Sequence, residues 1–126
     1  MILFKPDMAQ AILAGRKTVT RRLGKCRWRV GAIRQCYTRP AFARPPGKPF
    51  ARVRIVSVTR ESLPGDIATT GMPSERMIAM ALAAEAPREG FGTWEEFKAA
   101  YRGINGMDSW GEPCWRVEFE LVERIP

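Results

Sequence analysis

Residues 115–121 alternate without a break: Trp115, Val117, Phe119 and Leu121 are apolar, and Arg116, Glu118 and Glu120 between them are charged. Only an extended strand sends every second side chain to the same face, so this stretch requires a sheet with one face covered and the other wetted. Residues 51–59 begin in the same way, with Arg52 and Arg54 opposite Val53 and Ile55. Val56 and Val58 then occupy the arginine face, which calls for a bulge or burial on both faces. The acids of the last strand are suitable cross-strand partners for Arg52 and Arg54.

Other elements follow from local chemistry. Residues 2–4 read as a short strand. Pro6 suits a first helical turn, Asp7 complements its dipole, Met8, Ile12 and Leu13 keep helical spacing, and Gly15 ends the helix. Residues 17–23 favour a strand through Thr18-Val19-Thr20, residues 25–31 form a basic turn, and residues 32–38 a further strand. Residues 39–50 hold four prolines and Gly47, so the segment reads as a loop without regular structure. Residues 63–72 read as another loop around Pro64-Gly65-Asp66. Ser74 caps a helix running to about Ala86 and stopped by Pro87, and Thr93-Trp94-Glu95-Glu96 is a capping box that opens a third helix. Strands of unequal spacing with three short helices predict an α+β fold, its strands curled into a small barrel.

The 126 residues suit a single domain, residues 1–126, large enough for its own core. No stretch is apolar enough to span a membrane, and the opening apolar residues stop at Lys5 and Pro6, so a cytoplasmic protein with no membrane partner is expected. Cys26, Cys36 and Cys114 have no CxxC spacing, which suggests reduced thiols rather than a disulfide framework or a zinc site. The chain has no histidine. That excludes Ser-His-Asp and Cys-His catalysis and every His-based metal site, and leaves Lys, Glu, Asp, Tyr or Cys as acid or base. No cofactor and no metal are expected.

Charge is divided sharply along the chain. Residues 1–60 carry fifteen Lys/Arg and the single acid Asp7, whereas residues 61–126 carry six Lys/Arg and twelve acids. A basic half of this kind points to a polyanion, most commonly a nucleic acid. Arg39, Arg44 and Lys48 are interleaved with Phe42 and Phe50 in the proline-rich loop, a mixture suited to phosphate contact and base stacking. Trp28 and Trp110 lie in turn-like stretches where an indole can line a ligand site.

Apolar surface and dense charge meet in residues 11–22. Arg16, Lys17, Arg21 and Arg22 flank Thr18 and Thr20 directly after the Ile12-Leu13 helix. At Ile12-Leu13-Ala14-Gly15-Arg16-Lys17-Thr18-Val19-Thr20-Arg21-Arg22 the chain resembles the ASCH domain family. The similarity continues through Ala84-Glu85-Ala86-Pro87-Arg88-Glu89-Gly90-Phe91, residues 93–105 and Trp115-Arg116-Val117-Glu118-Phe119. The resemblance implies a PUA-like small β-barrel flanked by about three short α-helices, of the short type found in bacteria and on phages and prophages. It also implies RNA or a modified nucleoside as partner. One group in that family hydrolyses N4-acetylcytidine with a lysine, a threonine and a glutamate; its lysine falls on Lys17, its threonine on Thr20 and its glutamate on Glu89, with Glu85 one helical turn earlier as the alternative. The chain departs from that group at Arg21, which replaces an apolar residue, and in the greater length of residues 39–50 and 66–86.

These residue types fit amide hydrolysis in their own right. Thr20 supplies a hydroxyl nucleophile, Lys17 a base or an oxyanion partner, and Glu89 a group that orients Lys17 or water. Arg16, Arg21, Arg22, Arg39, Arg44, Lys48 and Trp28 are the expected ligand contacts. On a flat strand Lys17 and Thr20 face opposite ways, so a shared pocket needs a backbone irregularity near Thr18. The other functions compatible with the sequence are a non-catalytic RNA-binding module and a metal-independent ribonuclease.

Overall fold

The computed structural model describes residues 1–62, 75–110 and 112–126. The two longest strands, β4 (Pro49–Ser62) and β5 (Pro113–Arg124), form a long antiparallel ladder. β2 (Val19–Arg22) adds antiparallel to the far side of β5, β3 (Ile33–Tyr37) adds antiparallel to β4, and β1 (Ile2–Leu3) pairs parallel with β3. The resulting order, β1-β3-β4-β5-β2, is a mixed half-barrel accompanied by α1 (Pro6–Leu13), α2 (Glu75–Glu85) and α3 (Trp94–Asn105). This is the α+β small-barrel class expected from the sequence. Among the described residues no helix is long and apolar enough to cross a membrane.

Two apolar clusters hold the fold. Ile2, Phe4, Ile12, Cys36, Val53, Ile55, Val117 and Phe119 form one cluster, which joins α1 through Ile12 to the strands of the sheet. Ala86, Trp94, Phe97, Tyr101 and Cys114 form a second cluster around α3. Trp110, expected as a candidate ligand contact, is instead packed into this second cluster, edge-on to Trp94 and Tyr101. Its turn brings it back onto α3, where an indole buries more apolar area than it could at an open surface.

The bulge expected in β4 is present. Register with β5 shifts between Ile55 and Ser57, and Val56 is 43% exposed. Arg54 meets Glu120 at 2.9 Å and Arg52 meets Glu123 at 2.5 Å across the same ladder. β4 starts at Pro49, inside the segment expected to be irregular; a proline is tolerated at the first residue of a strand because no ladder donor is required there.

The strand expected from Lys17 starts two residues later, at Val19. The reason lies at the end of α1. Gly15 takes a left-handed conformation (φ 78°), Gly15 N–H donates to Ile12 O and Arg16 N–H to Ala11 O, which is a Schellman closure. Lys17 N–H also reaches Ala11 O, and Thr18 N–H donates to Arg88 O, so the chain is still leaving the helix at those positions.

Pro87 ends α2 as expected, and the chain continues in the 3-10 turn Ala86–Glu89, closed by left-handed Gly90. Thr93 Oγ1 caps α3 by accepting from Glu96 N–H at 3.2 Å, while the Glu96 carboxylate turns back to Gly92 N–H. The loop expected at residues 63–72 and the Ser74 cap lie outside the described residues.

Candidate functional site

The two edges of the half-barrel, β1 and β2, are not paired with each other. Among the described residues one side chain hydrogen-bonds from one edge to the other: Arg22 Nη2 donates to Leu3 O at 2.8 Å, and its guanidinium lies over the Phe4 ring, 5.2 Å from the centroid. Beside this bridge a cavity of about 480 Å³ opens between the β1–α1 corner, β2, the 3-10 turn and α3. Its walls include Phe4, Met8, Phe91 and Ile104, and among its polar lining residues are Lys17, Thr20, Arg21, Arg22 and Glu89, with Asp7, Tyr101 and Asn105 on the helical side. An apolar recess with a few convergent polar groups is the usual form of a small-molecule site.

Lys17 and Thr20 line this cavity together. The irregularity they need is the helix exit: Lys17 precedes the ladder, so strand alternation does not govern it. Lys17 is 4% exposed, and its Nζ donates to Val19 O and Glu89 O at 2.8 Å and to Glu89 Oε2 at 3.3 Å. Burial pulls its pKa below the ordinary lysine value of 10.5; Glu89 opposes that shift, and Arg22 and Arg21 reinforce it.

Glu89 is 1% exposed and sits at the end of the 3-10 turn. Its second carboxylate oxygen accepts from Arg21 Nη1, so one carboxylate faces two cations. Glu85, the alternative position, lies outside the cavity lining and is held by Arg116 at 2.7 Å and Arg21 at 3.0 Å. Burial raises the Glu85 pKa, but the hydrogen bond from Arg116 and the charge of Arg21 outweigh it and hold the carboxyl below its usual value.

Arg21 spends its guanidinium on protein carboxylates, with Glu61 on Nε at 2.5 Å, Glu85 on Nη2 and Glu89 on Nη1. Burial opposes its charge, yet Glu89 and Glu61 raise its pKa above the ordinary value. Glu61 was not among the expected site residues. The available signal was its position as the first acid after Asp7, at the end of a strand otherwise rich in cations. Gly90 was also not expected: a Cβ there would lie 3.2 Å from Met8 Sδ and 3.4 Å from Lys17 Cβ, so a residue without a side chain allows α1 and Lys17 to close on the turn.

Thr20 Oγ1 accepts from Arg22 Nε at 3.2 Å. Among the described residues no hydrogen bond joins Thr20 to Lys17. The Tyr101 hydroxyl is buried and has no hydrogen-bond partner among the described residues; burial pushes its pKa up, and the Cys114 thiol beside it adds to that. The remaining expected contacts lie elsewhere. Arg16, Arg39, Arg44 and Lys48 are exposed and outside the cavity lining, and Trp28 is half-buried against the barrel core.

A curled mixed sheet whose open seam holds a buried Lys–Glu pair defines a small α+β barrel with a ligand-sized cleft. Among solved structures this architecture matches ASCH from Zymomonas mobilis, with a TM-score of 0.56 and 16% identity over 98% of this chain and 70% of that one. It matches the ASCH domain from Lactobacillus crispatus with a TM-score of 0.60 and 16% identity over 90% and 69% of the two chains. A protein from Enterococcus faecalis matches with a TM-score of 0.58 and 14% identity over 98% and 80%. The chain has an ASCH-domain fold. No family model matches it, and no curated protein matches it.

Proposed function

We propose that this ASCH-fold protein binds a modified nucleoside in the seam cavity and hydrolyses the acyl amide of an N4-acylated cytidine. The observation that carries this reading is the convergence of Lys17, Thr20 and Glu89 on one cavity, with Lys17 Nζ bonded to Glu89. Phe91, only partly buried, offers an apolar face for a base, and Arg22 directs a charge-assisted donor at the Thr20 oxygen.

Each group has a defined part. Burial favours the neutral amine of Lys17, which accepts the Thr20 hydroxyl proton as Thr20 Oγ1 bonds the acyl carbon. The donor from Arg22 Nε eases loss of the Thr20 hydroxyl proton. As Oγ1 adds to the acyl carbon the negative charge passes to the acyl carbonyl oxygen, where the protonated Lys17 and the Arg22 guanidinium are the nearby cations of the cavity. The bond from the acyl carbon to N4 breaks as Lys17 returns the proton to the leaving amine. Water then attacks the threonine ester, its proton passes through Lys17 to Thr20 Oγ1, and a carboxylic acid leaves. Arg21 shares the charge of Glu89, so Glu89 orients Lys17 without fixing it permanently as an ammonium.

Mass spectrometry of a nucleoside panel containing N4-acetylcytidine tests the proposal. Wild-type protein is expected to yield cytidine and acetate, and Lys17→Ala and Thr20→Val to lower the rate at least about a hundredfold. N4-acetylcytidine left intact by the wild type, under conditions in which a control hydrolase acts, overturns it.

A further inference from the structure

We infer that the groove on the other side of the Arg22 bridge is a track for single-stranded nucleic acid, so that the base entering the seam is carried on a strand. This deepens the reading above and rests on it only for the identity of the base. The groove has a volume of about 680 Å³ and shares Leu3 and Arg22 with the seam cavity, so the two lie on either side of one hydrogen bond. Its lining contains Arg22, Lys25, Arg27 and Arg34, the aromatic rings of Trp28 and Phe42, and no acidic residue.

Among the described residues the charge of this groove meets no carboxylate. Lys17, Arg21, Arg52, Arg54, Arg88 and Arg116 are bound to carboxylates, whereas none of the four groove cations forms an ion pair among the described residues. Phe42 is 80% exposed, far more than packing would leave on a ring of that size. Trp28 packs against the barrel core and also lines the groove. Arg34 Nη2 donates to Arg27 O at 2.9 Å and fixes the basic turn as one wall.

Cations spaced along a groove and interleaved with open ring faces suit a strand with exposed bases, because phosphates meet the charges while bases stack on the rings. A duplex hides those faces. A free nucleoside fills the seam but leaves the groove empty. Arg39, Arg44 and Lys48, the loop cations singled out from the sequence, do not line the groove; from that loop it is Phe42 that enters it.

Fluorescence anisotropy of a labelled, unmodified ten-nucleotide RNA, titrated at several salt concentrations, tests the track independently of any chemistry. Four phosphate contacts give a slope of log affinity against log salt of about −2.8. Lys25→Ala/Arg27→Ala is expected to weaken binding at least about tenfold and to flatten that slope by about 1.4. Phe42→Ala is expected to weaken binding by about tenfold with the slope unchanged, because stacking releases no counterions. Arg39→Ala/Arg44→Ala/Lys48→Ala is expected to leave affinity within about twofold.

The track is overturned if the wild type does not bind the strand, if a blunt duplex of the same length binds equally well, or if the loop variant and not the groove variants loses binding. The two proposals fail separately. Strand binding lost in the groove variants without deacylation in any assay keeps the track and removes the hydrolase. Deacylation with equal kcat/KM for the free nucleoside and for the same base within the RNA, unaffected by Lys25→Ala/Arg27→Ala, keeps the hydrolase and removes the track.

Discussion

Lys17 Nζ touches both the main-chain carbonyl of Glu89, at 2.8 Å, and its carboxylate, at 3.3 Å, so one buried ammonium is bound to one residue by two different groups. Replacing the carboxylate therefore does not release Lys17; it leaves the cation in place without its counter-charge. Arg21 loses the same partner. Removing one member of a buried pair typically costs about 3–5 kcal/mol. Glu89→Gln is expected to fall in that range in urea unfolding, with the midpoint lowered and the m-value unchanged. Lys17→Met is expected to cost less, because Arg21 still neutralises Glu89.

The same charges set the direction of pH effects. Burial lowers the Lys17 pKa from 10.5, Glu89 opposes the shift, and Arg22 and Arg21 deepen it. Because the folded pKa is depressed, the stability linked to the neutral amine is complete above 10.5 and is lost as pH falls through the folded value. With Lys17 as base, kcat/KM for deacylation rises with pH through that folded value. Glu89→Gln removes the opposing charge and is expected to move this limb to lower pH. Arg21→Gln removes a repulsive cation and returns the full charge of Glu89 to Lys17, so the limb is expected to move to higher pH. Shifts in the same direction, measured in pH–rate profiles, count against Lys17 as the titrating group.

The fold was readable wherever one residue fixed its own surroundings. Gly15 stops α1, Thr93 caps α3, and the alternation ending at Leu121 runs along β5. The bulge at Val56 was legible because the alternation there changes face. Lys17, Thr20 and Glu89 were legible as residue types but not as a geometry, since their meeting depends on where Lys17 leaves the helix. That exit is a property of the Schellman closure and not of strand propensity. Glu61 was hidden because its partner, Arg21, lies forty residues earlier in the chain. The groove was hidden too, because Lys25, Arg34 and Phe42 come together only when β3 lies beside the turn that precedes it.

Gly90 is where α1, Lys17 and the 3-10 turn come closest. Its φ is 92°, and an added Cβ would press on Met8 Sδ at 3.2 Å and on the Cβ atoms of Ala11 and Lys17 at 3.4 Å. Gly90→Ala therefore combines a left-handed backbone penalty of about 1–2 kcal/mol with a displacement of Lys17. Unfolding is expected to show that loss of stability. Nucleoside affinity, measured by calorimetry, is expected to weaken as well, whereas Gly103→Ala, at a helical glycine with open space around it, is expected to leave affinity unchanged and to raise stability by about 0.5–1 kcal/mol.

Arg22 holds the seam through one directional bond, with Nη2 on Leu3 O at 2.8 Å and Nε on Thr20 Oγ1 at 3.2 Å. A lysine cannot make both contacts, because its single ammonium lacks the planar fork that spans them. Arg22→Lys is expected to retain the charge and lose the bridge. The cost in stability is expected to be about 1–2 kcal/mol, within the range for a hydrogen bond from a charged donor. The local consequence is more diagnostic. The Phe4 amide, which donates to Tyr37 O at 2.8 Å and lies next to the bridged carbonyl, is expected to exchange its hydrogen faster, while amides in the central β4–β5 ladder keep their protection. Uniform loss of protection across the sheet would instead mean that Arg22 supports the whole fold and that the seam is not an independently opening edge.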